Sequence, residues 1–254
     1  MSKAIISLLL MVVVGCTSCN SHQEQPSEQK QALEIYHSNE TYNSNGQNIS
    51  IEKFAPKQQG KYPTLILAHG ADGLKLEKWT KIYSRLSEEL AQNGYIVFLP
   101  HYFESTQTEI ANFPTIVKNF AVWGKTIENA IDYAVNQPNI DSSKVGVVGV
   151  SLGASEVLTL ATQDRRIVVV VEFFGAMPDW AWNLRQRMSP TLILHGEADS
   201  IVSVKEAYKL DSLLKEASVP HKVNIYPNQN HGFVGKADQD SKDQAVMFLN
   251  SYLK

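Results

Sequence analysis

Five residues constrain the fold of this chain more than any other stretch: Gly149-Val150-Ser151-Leu152-Gly153. The apolar run 145–148 precedes them, and a stretch of helical character, residues 154–161, follows at once. A strand, a reversal and a helix in so little space require a turn so tight that Ser151 takes a strained backbone conformation. Its hydroxyl then projects from the edge of the sheet. Glycines flank the serine because a β-carbon at either place would collide where strand and helix cross. The pentapeptide alone is a common chance match. The strand before it, the helix after it and a suitable acid and base downstream give it weight.

The rest of the chain supplies a frame for that turn. Residues 33–42 and 48–54 alternate apolar and polar around Asn43-Ser44-Asn45-Gly46, the pattern of an antiparallel hairpin. Residues 64–68 form a continuous apolar run, as in a strand buried on both faces. Residues 77–93 carry Ile82, Leu86 and Leu90 on one helical face and stop at Gly94. Strands are then expected at 95–99, 144–150, 166–174, 191–194 and 223–226. Helices are expected at 115–136, 154–162, 203–217 and 241–253. The last two helices open with the capping boxes Ser203-x-x-Glu206 and Ser241-x-x-Gln244. Strands alternating with helices imply an α/β fold: a mainly parallel central sheet, right-handed crossovers and helices on both faces. Only residues 175–189 separate two strands where a lid would be inserted, so the lid is small or absent. No internal repeat is present.

The first 32 residues read differently. Lys3 and the short apolar stretch 4–14 make a targeting segment too short to span a bilayer comfortably. Val13-Val14-Gly15-Cys16 resembles a bacterial lipobox, which implies a signal peptide at 1–15, cleavage after Gly15 and lipidation of Cys16. The competing reading is an ordinary signal peptide followed by unmodified thiols. Cys19 follows a poor lipobox. Residues 16–32, rich in Ser, Gln and Glu, cannot bury apolar surface and read as a flexible tether. The expected location is extracytoplasmic, on a bacterial membrane through the anchor at Cys16. Both cysteines of the chain lie in this stretch, so the domain at 33–254 has no internal disulfide and no cysteine metal site. A net charge of −3 provides no electrostatic footprint for nucleic acid.

A serine placed as Ser151 is suited to acyl transfer, which needs a base, a group to orient that base and donors for the developing oxyanion. On such a sheet they come from loops at the same edge, in the order Ser, Asp, His. Asp199 follows the strand at 191–194 through His195-Gly196-Glu197-Ala198, and His231 follows the strand at 223–226 through Pro227-Asn228-Gln229-Asn230. Glu197 competes with Asp199, but it lies nearer the strand end, with less loop to reach His231. Of the other histidines, His22, His37 and His221 fall away from that edge. His69 and His195, each before a glycine, read as structural, and His101 as lining the cleft. Leu152 N–H is one oxyanion donor, at a helix N-terminus that also favours negative charge. The second is assigned to Ala71 in His69-Gly70-Ala71-Asp72-Gly73.

These residues resemble the dienelactone hydrolase family of α/β-hydrolases, over essentially the whole domain from Leu33. The resemblance rests on Leu67-Ala68-His69-Gly70-Ala71-Asp72-Gly73, Gly94-Tyr95-Ile96-Val97-Phe98-Leu99-Pro100 and Val147 through Gly153. Val171-Glu172-Phe173-Phe174-Gly175, His195-Gly196-Glu197-Ala198-Asp199 and Asn230-His231-Gly232-Phe233 extend it. It implies Ser151 as nucleophile, Asp199 and His231 as its partners, and Ala71 with Leu152 as the oxyanion hole. The chain departs from members acting on dienelactone in three ways. It has serine in place of their cysteine and Gly70 in place of their glutamate. No arginine occurs between Pro100 and Phe113 to clamp a substrate carboxylate. A neutral serine needs no acid to manage a thiolate, and a cleft without that clamp has no reason to select an anion.

The expected activity is therefore a serine hydrolase acting on small carboxylic esters or lactones through an acyl-enzyme, with no metal and no other cofactor. An acyltransferase on the same fold and a non-catalytic binding lipoprotein are the alternatives, and oligomeric state is unknown. Trp180, Trp182, Phe103 and Phe233 form either an aromatic wall of the cleft, with His101, or packing against surface helices; the sequence leaves both open. Gly124-Lys125-Thr126 imitates the end of a phosphate-binding loop, but Asn119 replaces the required glycine and the stretch is mid-helix.

Overall fold

The computed structural model describes residues 33–254. The expected leader and tether, with Cys16, therefore lie outside the described residues. Strands β1 (Ile35–Ser44) and β2 (Gln47–Pro56) form the expected hairpin, with Asn45 and Gly46 both at positive φ in its two-residue turn. Then follow β3 (Tyr62–Ala68), α1 (Glu77–Gln92), β4 (Ile96–Pro100), α2 (Phe113–Val135), β5 (Ile140–Val150) and α3 (Leu152–Ala161). The chain closes with β6 (Ile167–Phe173), β7 (Thr191–Gly196), α4 (Lys205–Glu216), β8 (His221–Tyr226) and α5 (Lys236–Leu253). The sheet order is β1-β2-β4-β3-β5-β6-β7-β8. The β1–β2 and β2–β4 pairs are antiparallel, and every later pair is parallel.

Both faces of the sheet are covered, which is why β3 and β6 read as unbroken apolar runs. Trp123, Ile127 and Ile131 of α2, Val157 of α3, and Leu210 and Leu214 of α4 fill one side. Tyr83, Leu86 and Leu90 of α1, with Leu249 and Leu253 of α5, fill the other. Parallel strands with crossovers bring all the loops after β3, β5, β6, β7 and β8 to one edge. The segment between β6 and β7 holds only a 3₁₀ turn, Asp179–Arg187, and no inserted lid domain.

The helices differ from the sequence expectation in three places. The buried face of α1 is Tyr83, Leu86 and Leu90, while Ile82 is exposed. A strict spacing of four advances about 40° per step around a helix of 3.6 residues per turn, so the outermost member of the series leaves the stripe. Helix α5 begins at Lys236, five residues before Ser241, whose hydroxyl donates to Asp238 O inside the helix instead of capping it. Its first turns are too polar to show an apolar period. At α4 the N-cap is Val204, with no side-chain cap, so the Ser203 box does not close.

Candidate active site

Strand β5 ends at Val150 and α3 starts at Leu152, so Ser151 alone makes the reversal, at φ 55° and ψ −116°. That region is strained for a residue with a side chain and persists only where neighbours enforce it. Here Ser151 N–H donates to Phe173 O at 2.9 Å, and Ser151 O accepts from Ala154 and Ser155 N–H. A β-carbon at position 149 would come 2.4 Å from Ala154 Cα, and one at 153 would come 2.1 Å from Ala68 O. Contacts that short leave room for glycine only.

The loops after β7 and β8 meet at the serine. His231 Nε2 lies 2.8 Å from Ser151 Oγ, across 80 residues of sequence, and Nδ1 lies 2.8 Å from Asp199 Oδ2, across 32. The other Asp199 oxygen accepts from Ile201 and Val202 N–H, each at 2.8 Å. The carboxylate is sealed from solvent, whereas the imidazole is 19% exposed. With the carboxylate accepting at Nδ1, the neutral imidazole carries its proton there and presents a lone pair at Nε2 to the serine hydroxyl. The competing acid, Glu197, is exposed.

Asn230 ties the two loops together. Its Oδ1 accepts from Ser200 N–H at 2.9 Å, Ser200 Oγ at 3.0 Å and His231 N–H at 2.8 Å. Sequence reasoning passed over this residue, although an amide next to the histidine was a usable signal. It also passed over Phe174, whose ring lies 4.7 Å from that of His231.

In the loop after β3, Gly70 N–H donates to Tyr83 Oη at 2.7 Å and Gly73 N–H to Gly70 O. Among the described residues, Ala71 N–H donates to no protein group, and neither does Leu152 N–H at the head of α3. Ala71 is held by its own carbonyl, which accepts from Ala111 N–H at 2.8 Å. At Gly70, a β-carbon would lie 3.1 Å from Tyr83 Oη and 3.4 Å from Ser151 Cβ, so the phenol takes space that a longer side chain would need.

The aromatic residues do not form one wall. Phe103 is buried and stacked on Trp123 with centroids 4.3 Å apart. With His101, it lines a cavity of about 390 Å³ beside the loop after β3 that includes none of Ser151, Asp199 or His231. The His101 imidazole is bonded to Glu52 on β2. Trp180 is exposed against the edge of Phe120. Trp182 donates to Met177 O and lies under Lys209 Nζ. Phe233 packs edge-on to Phe174 at 5.3 Å, and it is the Phe174 ring that meets the imidazole. The two structural histidines are held by backbone: His69 by Gly70 O and His195 by Val202 O. Burial pushes His69 down to about 3 and His195 below the usual imidazole range.

Sheet order together with the strand–serine–helix reversal places the chain among the α/β-hydrolases. Within that class, the sequence model of the dienelactone hydrolase family matches residues 52–249, and the chain belongs to that family. That family is one of hydrolases. Over 133 residues the chain is 29% identical to the uncharacterised protein YcjY of Escherichia coli K12, covering half of this chain and 42% of that one. It is 25% identical to a carboxymethylenebutenolidase homolog of Xenopus tropicalis, covering 66% of this chain and 71% of that protein. Among solved structures, a dienelactone hydrolase-like promiscuous phosphotriesterase from metagenomic libraries shares the fold. Its TM-score is 0.75 at 17% identity, over 87% of this chain and 99% of that one.

Proposed function

We propose that the protein cleaves small carboxylic esters or lactones through an acyl-enzyme on Ser151. The observation that carries this reading is the continuous hydrogen-bonded line from Ser151 Oγ through His231 to Asp199 at the strained turn. His231 Nε2 takes the hydroxyl proton as Oγ bonds to the ester carbonyl carbon. The carbonyl oxygen becomes an oxyanion, for which Ala71 and Leu152 N–H are the available donors, and one such donor contributes about 10²–10³ in kcat. Collapse breaks the bond to the alkoxy group, which leaves with the proton from His231. Water then repeats the sequence on the acyl-enzyme, releasing the acid and restoring Ser151. Asp199 stays a carboxylate throughout, orienting the ring and stabilising the imidazolium.

Gly70 and Tyr83 beside the serine, in place of an acidic side chain, support a neutral nucleophile and an uncharged substrate. A fluorophosphonate probe tests the reading: the wild type labels and turns over short-chain esters, and Ser151→Ala does neither. An inert wild type would favour a binding protein, and product carrying an added alcohol would favour acyl transfer. The lipobox supports anchoring at Cys16 to a bacterial membrane, with the domain outside the cytoplasm. Cys16→Ser should move the protein to the soluble fraction, and an unchanged membrane fraction would refute that anchor.

A further inference from the structure

One ionisable side chain outside the triad is sealed beneath the turn that carries Ser151. Glu172 on β6 pairs in register with Gly149 of β5 and Ile193 of β7 and has no exposed surface. Burying a carboxyl without an ionic partner is costly. Oε2 accepts from Gly175 N–H at 2.8 Å, while Oε1 has no partner among the described residues. Gly175 itself is pressed against the turn: a β-carbon there would come 2.4 Å from Ala154 Cβ and 3.2 Å from Ser151 O.

The residues spanned by this bond make two contacts that the site depends on. Phe173 O accepts Ser151 N–H at 2.9 Å. Phe174 has φ 44°, a left-handed conformation that is strained for a residue with a side chain, and its ring lies 4.7 Å from that of His231. A bond from side chain 172 to amide 175 closes the turn around both residues and offsets that strain.

We propose that Glu172 is a positioning residue for the Ser151–His231 pair: its carboxyl clamps Gly175 N–H and so fixes the turn that holds the serine backbone and the ring against His231. The inference rests on the acyl-enzyme reading above. The clamp has a charge condition. Burial pushes Glu172 up to about 8, opposed only by the Gly175 bond, so the group is the neutral acid at pH 7. The titratable side chains on the surrounding elements are Glu156 of α3, Asp141 and Lys144 at the far end of β5, His195 of β7, and Asp199 and His231 on the loops beyond, and none of them contributes to that shift. Ionised, the carboxylate would compete with the oxyanion for the positive end of α3. Activity is therefore lost as pH rises through this ionisation.

The test measures ester hydrolysis by the full chain in mild detergent across pH 6–10, with Tm, for wild type, Glu172→Leu, Glu172→Gln and Ser151→Ala. Leucine removes the acceptor and should lower kcat by ~10–100-fold with KM within ~3-fold, the scale of a small misplacement of reacting groups. Glutamine keeps a neutral acceptor and should recover most of that loss at pH 7. It should also abolish the reversible alkaline fall expected of wild type near pH 8. Equal losses in Gln and Leu that track Tm, or an alkaline limb retained in Gln, would overturn the assignment. If leucine prevents folding, the alkaline limb of wild type against Gln decides alone. Activity surviving in Ser151→Ala would sink the nucleophile reading itself, a result separable from any effect at 172.

Discussion

Replacing Asp199 by asparagine exchanges one oxygen for an NH₂ group and leaves the shape nearly untouched, so it isolates what the carboxylate does. Two backbone donors, Ile201 and Val202 N–H, hold Oδ1, and His231 Nδ1 meets Oδ2. The backbone donors require an acceptor, so the amide oxygen keeps their side and NH₂ faces the imidazole. The ring proton then moves to Nε2, where no lone pair is left to receive the proton of Ser151. Turning the amide round would restore the working tautomer, but it would leave two N–H groups unpaired in a position closed to solvent. At about 1–3 kcal/mol for each unpaired donor, the reversal costs about 2–6 kcal/mol, leaving at most a few per cent of molecules competent. Losing the negative charge that stabilises the imidazolium adds to this, and kcat should fall ~10³–10⁴-fold. The assay is steady-state hydrolysis of a short-chain p-nitrophenyl ester, with Tm measured on the same samples. A variant with unaltered Tm and kcat within ~10-fold of wild type would refute the reasoning.

Asn230→Ala frees three donors at the junction of the two loops and should lower kcat by ~10–100-fold with little change in Tm; an unchanged kcat would show that the loops hold without it. Gly153→Ala drives a methyl group to 2.1 Å from Ala68 O, against backbone that cannot yield, so soluble yield and esterase activity should both collapse. A folded, active variant would mean that the turn has more slack than its contacts imply. Stability should depend on Glu172 with a definite sign. The folded state keeps a proton to about 8, whereas the unfolded chain releases it near the ordinary 4.5. Stability therefore declines as pH rises between those values, by at most about 1.4 kcal/mol per unit. Urea midpoints from pH 5 to 8 should fall more steeply for wild type than for Glu172→Gln, and parallel slopes would contradict the burial argument.

Much of this arrangement is legible in the sequence, because it rests on local patterns. The apolar runs of β3, β5 and β6, and the glycines around Ser151, are imposed by double-sided burial and by a crossing that excludes β-carbons. The positions of Asp199 and His231 follow from their distance beyond strand ends. What stayed hidden depends on partners distant in the chain. The two tryptophans of the loop before β7 find Phe120, Met177 and Lys209 as neighbours, which composition does not show. Phe174 and Glu172 read as ordinary strand residues until the fold sets one against His231 and the other under the serine. The start of α5 escaped because its exposed turns carry no apolar rhythm.

Mass spectrometry of the intact protein, quenched in acid during turnover of a slowly deacylated ester, bears most directly on the central claim. A species heavier by the acyl group is expected on the peptide containing Ser151, formed before product accumulates and absent from Ser151→Ala. Turnover by the wild type with no such adduct, or with the adduct on another residue, would contradict that claim.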